Sequence, residues 1–245
     1  MTHATAFLGF DLAAGDAPPA APTLLVGVPF EAGCSRPGCS AAPDAIRLAS
    51  AALTSESDMR GVDLGNLAPN RDWRQPVREF VELSIAQGSV PVVLGGGPEV
   101  ADIAMEAACP LPVLAATHVL RAGVKGRPAV WLGLNGPQHA PLWDDVMAGP
   151  QAFLTARQLD DGGTVEFPAQ TFLWIDAAVL DTGHAAGAAD INPGGLAPDA
   201  FLKAIAPLKG RVRGIVVTGA TPRRDPRGLT ELVLASAIRE VLGHG

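Results

Sequence analysis

The sequence is poor in charge. Only 18% of its 245 residues are Asp, Glu, Lys or Arg, against roughly 25% in ordinary soluble domains, while 48% are hydrophobic. That balance suits either a membrane protein or a chain that buries extra surface against partners. A second absence removes the first option: there is no stretch of ~18 consecutive apolar residues free of charge or turn signals. Runs of Lys and Arg are missing too. The densest basic spot is Arg223, Arg224 and Arg227 in a chain of net charge −7, which argues against nucleic acid as a partner. Cysteine is scarce and odd in number. Cys34, Cys39 and Cys109 fit a reducing compartment better than a disulfide scaffold. No Cys or His pair completes a metal site with Cys34 and Cys39, so both are expected to be buried or incidental thiols. The first 22 residues have no basic segment and carry two acids, unlike a secretory leader, so the cytoplasm is the expected compartment.

What is present is alternation. After a small, proline-rich stretch at residues 13–22, expected to close an N-terminal arm (1–22), short apolar runs alternate with helical patterns. Strands are expected at 23–30, 59–65, 89–97, 128–136, 170–181 and 210–222. Helices are expected at 43–53, 73–87, 98–108, 197–208 and 229–242, several opened by Pro in the first turn. Short apolar strands separated by helices predict one α/β domain (23–245), a three-layer α-β-α arrangement around a mostly parallel sheet. Ligands in such folds bind beyond the C-terminal ends of the strands.

Those ends carry little chemistry. Gly95-Gly96-Gly97-Pro98, Gly133-Leu134-Asn135-Gly136-Pro137 and Gly219-Ala220-Thr221-Pro222 contain no acid; only Asp176 and Asp181 supply carboxylates. A metal site needs Asp, Glu, His or Cys there. The triple glycine lacks the Lys and Ser/Thr of a phosphate loop and reads as a tight turn. The five histidines, His3, His118, His139, His184 and His244, are scattered; His139 and His184 lie in loops near strand ends. There is no Gly-x-Ser-x-Gly elbow for a hydrolase triad.

Six ordered segments nevertheless resemble the ureohydrolase family of arginases and agmatinases. LLVGVPFEAGCSRPGCSAAPDAIRLAS resembles the first strand and loop of the family, and VDLGN its DLGD strand end. PVVLGGGPEV is similar to PVVLGGDHSI, and AVWLGLNGPQHAP to the VIWVDAHADINTP segment. FLWIDAAVLDTGHAAGAADINPGGL resembles SIDIDVLDPAxAPGTGTPEPGGL, and GIVVTGATPRRDPRGLTE resembles DVVEVNPxxDPxGxTA. The resemblance implies an arginase-like fold and trimeric or hexameric assembly. It also implies six residues that in the family hold two Mn or Ni ions. Here those positions are Pro98, Gly133, Asn135, Pro137, Asp176 and Ala178, so five of six ligands are lost. The Glu that binds guanidinium falls on Gly219, and the last Asp of DLGD on Asn66. Scaffold motifs remain: PGGL, VLD, RPG, PDAIR and DPRGLT, with Asp181 and Asp225 expected to fix loops.

The resemblance therefore implies a subunit with no catalytic residue and no metal of its own. It is expected to assemble with a catalytically active ureohydrolase paralogue that binds Ni or Mn. The heteromeric metformin hydrolase, which cleaves a biguanide, is a precedent within the family. Two other readings stay open: a binding protein using the metal-free cleft around Asp176, and a metal-independent or single-metal enzyme using Asp176 with His139 or His184.

Overall fold

The structure is a computed structural model that describes residues 5–13, 21–31, 33–53, 59–68, 72–124, 126–138 and 140–243. The strands are β1 (Phe10–Leu12), β2 (Thr23–Val28), β3 (Gly61–Asn66), β4 (Val90–Gly95), β5 (Val113–Ala116), β6 (Ala129–Leu134), β7 (Gln151–Thr155), β8 (Thr171–Asp176) and β9 (Val212–Thr218). The helices are α1 (Ala42–Ser50), α2 (Arg74–Ala86), α3 (Glu99–Ala107), α4 (Ala140–Met147), α5 (Ala156–Asp160), α6 (Pro198–Ile205) and α7 (Leu229–Leu242). Among the described residues the strands form one nine-stranded sheet in the order β1-β3-β2-β4-β9-β8-β5-β6-β7. Every pair is parallel.

The apolar runs build this sheet because both of its faces are covered. Side chains alternate along each strand, so neighbours serve opposite cores. Val92 and Leu94 of β4, with Leu173 and Ile175 of β8, join the core under α1, α6 and α7. Val93, Phe172 and Trp174 point the other way, into the core against α2 and α3. After β4 the chain skips two sheet positions to make β5, and β8 and β9 later fill the gap. That reversal puts the ends of β4, β9 and β8 side by side, where open α/β sheets hold their ligands.

The structure departs from the sequence expectations at several points. Within the expected arm, the described residues 5–13 pack on the sheet: Phe7 and Phe10 are buried in edge-to-face contact, and β1 pairs with β3. The strand expected over 170–181 stops at Asp176, where the chain turns through Ala177–Val179, so Asp181 lies in a loop. Residues 140–160, where no element is expected from the sequence, carry α4, β7 and α5, and β7 completes one sheet edge. Cys34 and Cys39 are joined in a disulfide rather than being free thiols, their Cα atoms 6.9 Å apart. The loop between them is curled by Glu31, whose carboxylate accepts hydrogen bonds from the amides of Gly38 and Ser40 and from the Ser40 hydroxyl. This removes the cysteine argument for a reducing compartment. No helix among the described residues is long and apolar enough to cross a membrane.

Candidate functional site at the strand ends

Asp176 closes β8 at the point where the sheet order reverses. It is buried, and its carboxylate accepts hydrogen bonds from the Ala178 amide (3.0 Å) and the Thr117 hydroxyl (3.3 Å). Burial pushes the carboxyl above the ordinary carboxylate range; the charge of His118 opposes that shift, as do the two hydrogen bonds, while Asp190 adds to it. His118 lies 3.9 Å from Asp190 through Nε2, and its buried Nδ1 has no hydrogen-bond partner. Thr117 and His118 follow β5 directly. Thr117 is not singled out in the sequence, and His118 only as one of five scattered histidines, because β5 is only four residues long, too short to show a period. The available signal was the run VLAA between Pro112 and Thr117.

The space around Asp176 is filled. Gly219 has φ +81°, and a Cβ built there overlaps Asp176 Oδ1, with Asp176 Cγ at 3.4 Å and the Ala177 amide nitrogen at 3.6 Å. Gly133 also has positive φ (+83°); a Cβ there comes within 2.5 Å of Val179 Cγ2 and 3.4 Å of Leu196 Cδ1. Ala178 and Val179 are fully buried. Asn192 locks this arrangement: its side-chain amide donates to the Ala178 carbonyl (2.7 Å), and its oxygen accepts from Asn135 Nδ2 (2.7 Å). Asn135 also donates to the Pro193 carbonyl at 2.9 Å. Asn192 was not singled out in the sequence, because a lone Asn in a loop has no distinguishing pattern.

The triple glycine forms a tight turn with its amides engaged. Gly96 N–H donates to Val28 O (3.1 Å) and Gly97 N–H to Phe30 O (2.7 Å). Gly219 N–H in turn donates to Gly96 O (2.9 Å), stitching β9 to β4 beyond the strands. These donors are therefore not aimed at an anion. Pro98 stands before α3, where Gly33 of the disulfide loop approaches it; a Cβ on Gly33 lies 3.3 Å from Pro98 Cγ.

Other residues singled out in the sequence lie apart from Asp176. The Asp181 carboxylate accepts from the amides of Gly183 and Gly194, both at 2.7 Å, tying two parts of one loop. His184 is half exposed and 3.8 Å from Asp181 Oδ1. Asp225 accepts from the Thr230 amide and hydroxyl, both at 2.8 Å, at the start of α7. Burial works against its charge, but those bonds and neighbouring amides outweigh it and hold the carboxyl below its ordinary range. Asn66 accepts from Arg47 (2.6 Å) and donates to Asp44 (2.8 Å), next to the buried Arg47–Asp63 pair. His3, His139 and His244 fall outside the described residues, as does the pairing of Asp176 with His139. Cavities of about 700 and 510 Å³ lie between α5 and α6 and at the starts of β6 and β7; neither includes Asp176 or the other five positions.

Comparison with known proteins bears directly on this arrangement. Residues 21–111 match the family described as "Arginase family". That segment of the chain is similar to the arginase family. Solved structures add the fold. Agmatine ureohydrolase of Thermoplasma volcanium superposes with a TM-score of 0.77 at 19% identity, over 91% of this chain and 89% of that one. Arginase from Bacillus subtilis gives 0.79 at 17% identity, over 91% and 98%. Formimidoylglutamase from Bacillus subtilis subsp. subtilis str. 168 gives 0.78 at 19% identity, over 99% and 92%. No curated protein sequence matches the chain.

The two-metal centre that arginase-family resemblance implies does not fit the residues present. Asp176 is the only one of the six positions with a ligand side chain, and both its oxygens already accept hydrogen bonds. Gly133 and Gly219 cannot be read as small residues framing a cavity, because Val179, Leu196 and Asp176 take up the volume beside them. Among the described residues no group of three or more His, Cys, Asp and Glu is arranged to hold a metal ion. Removing carboxylates while keeping two divalent ions leaves charge uncompensated in a buried site. Here the volume is instead closed by backbone, small side chains and an Asn network. The chain has the arginase-like fold with its sheet reversal, and packs the position at the strand ends shut.

Proposed function

We propose that this chain is a non-catalytic ureohydrolase-like subunit that assembles with an active, metal-dependent paralogue and supports it. The observation that carries the reading is the packing at Gly219 and Gly133. Where the family resemblance implies a guanidinium-binding Glu and a metal ligand, neither position has room for a side chain. An arginase-like scaffold kept intact around a closed site has its remaining use in its surfaces. The low charge of the sequence supports this, as do large apolar side chains left exposed on the single chain, Leu48, Leu83 and Ile191 among them. The partner reaction we propose is hydrolysis of a guanidine- or biguanide-type C–N bond by a Ni- or Mn-containing subunit, with metformin hydrolase as the precedent and the cytoplasm as the site.

Co-expression tests this. The chain is produced with and without the ligand-complete ureohydrolase from the same cells, and the complex is isolated through a tag on this chain alone. The expected result is a stable mixed oligomer whose activity on guanidines exceeds that of the paralogue alone. A stable homo-oligomer with no affinity for a paralogue that is fully active alone overturns the proposal.

A further inference from the structure

Helices α1 and α7 pack against each other on one face of the sheet. Beside the start of α7 runs a groove of about 360 Å³. Ala45, Leu48, Ala49 and Leu232 give it an apolar lining, with Leu48 68% exposed. Two acids also line it, and they differ sharply. Asp225 is satisfied by Thr230. Glu231 is only 1% exposed, and neither of its carboxyl oxygens has a hydrogen-bond partner.

A buried carboxylate with no partner is costly, and folded proteins rarely leave one in place without a compensating group. Among the described residues no other side chain supplies that group. Arg227 lines the groove and is exposed, but donates to neither oxygen. On α1, Arg47 is committed to Asp63 and Asp44 to Asn66. Burial raises the Glu231 carboxyl to about 6, with its own backbone amide opposing the shift and the charge of Asp225 adding to it, so near neutral pH it is largely ionised with no side-chain partner.

We propose that the groove is a binding site for a small primary alkylammonium ion. Its ammonium group meets Glu231 and its alkyl stem lies along Ala45, Leu48 and Ala49. A compact cation with three donors suits a carboxylate with both oxygens free. The volume lies within the range of small-molecule pockets. The strand-end site is not involved; the one residue shared with the surfaces invoked for the subunit reading is Leu48.

The test uses n-butylammonium chloride as the probe, with titration calorimetry on the full chain at pH 8. Sodium chloride at equal ionic strength and n-butanol serve as controls. Saturable binding is expected, with n-butanol and the Glu231→Gln variant each about tenfold weaker, the loss of one charge-assisted hydrogen bond. Should Glu231→Gln fail to fold, Leu48→Arg provides the second variant. That exposed position tolerates the change, and a guanidinium placed in the groove is expected to compete with the ammonium ion and abolish binding. Absence of saturable heat, equal affinity for n-butanol, or undiminished binding in the variants overturns the proposal. So does an oligomer that fails to bind the probe and dissociates on Glu231→Gln, because the groove then holds a cationic side chain of a second copy.

Discussion

Adding a single methyl group at residue 219 tests whether the strand-end site is closed. In Gly219→Ala the new Cβ overlaps Asp176 Oδ1, which is buried and held by the Ala178 amide and the Thr117 hydroxyl. The carboxylate can yield only by giving up those hydrogen bonds. Overpacking of this kind costs about 1–3 kcal/mol. The backbone at φ +81° adds about 1–2 kcal/mol for any residue with a Cβ. The sum, about 2–5 kcal/mol, is a large part of a typical folding free energy and lowers the melting temperature by roughly 5–20 °C. Gly162→Ala is the matched control: φ is the same +81°, but a Cβ there meets nothing within 4 Å, so only the backbone strain remains. The overlap is then isolated by adding Asp176→Ser, which vacates the volume and recovers much of the loss in a double-mutant cycle. Thermal and urea melts of the four variants supply every term. If Gly219→Ala is no more harmful than Gly162→Ala, or if Asp176→Ser gives no rescue, the carboxylate does not occupy that volume and the closed-site reasoning fails.

Further predictions follow from the same contacts. Glu231 titrates at about 6 in the folded chain against an ordinary 4.5, so its contribution to stability is greatest below 4.5 and is lost as pH rises through 6. Glu231→Gln removes that loss, and its advantage over the parent chain should grow by about 2 kcal/mol across this window in urea melts; a pH-independent difference contradicts it. The Arg47–Asp63 pair is bidentate, with bonds of 2.8 and 2.9 Å and both residues buried, so Arg47→Met should destabilise by about 3–5 kcal/mol through the orphaned carboxylate. A cost below 1 kcal/mol refutes that reading. Asn192→Ala frees the Ala178 carbonyl and Asn135 together, and should cost about 1–3 kcal/mol in the same melts. The double variant Pro98→His with Ala178→Asp restores two ligand types without restoring volume. Elemental analysis should find no stoichiometric Mn or Ni, and finding it would show that the site still opens.

The fold was legible where periodicity was long enough to read. The terminal helix was expected at 229–242 and lies there, because fourteen residues hold a helical apolar stripe bounded by Gly228 and Gly243. The central strands stood out because both faces of a parallel sheet demand continuous apolar runs, as in VPVVLG and TFLWID. Short elements escaped. β1 has three residues and β5 four, and neither shows a period. Their stability is tertiary: Phe7 and Phe10 fill a gap beside β3, and β5 is held between β8 and β6. At the candidate site the missing side chains were visible in the sequence at Pro98, Gly133, Asn135, Pro137 and Ala178. What replaces them was not. That Val179 and Leu196 fill the volume beside Gly133, and that Asn192 joins Ala178 to Asn135, depends on how loops distant in sequence meet. The Cys34–Cys39 disulfide was hidden for a similar reason, since the curl imposed by Glu31 has no signature in cysteine spacing.

The central proposal, that this arginase-like scaffold has given up its own site and works within a mixed assembly, is tested most directly by native mass spectrometry. The untagged protein is purified from its own cells at low abundance, with metal content read on the same sample. The account predicts masses for this chain together with a second, ligand-complete ureohydrolase chain, and metal in proportion to that second chain only. A homo-oligomer of this chain carrying stoichiometric metal would contradict it.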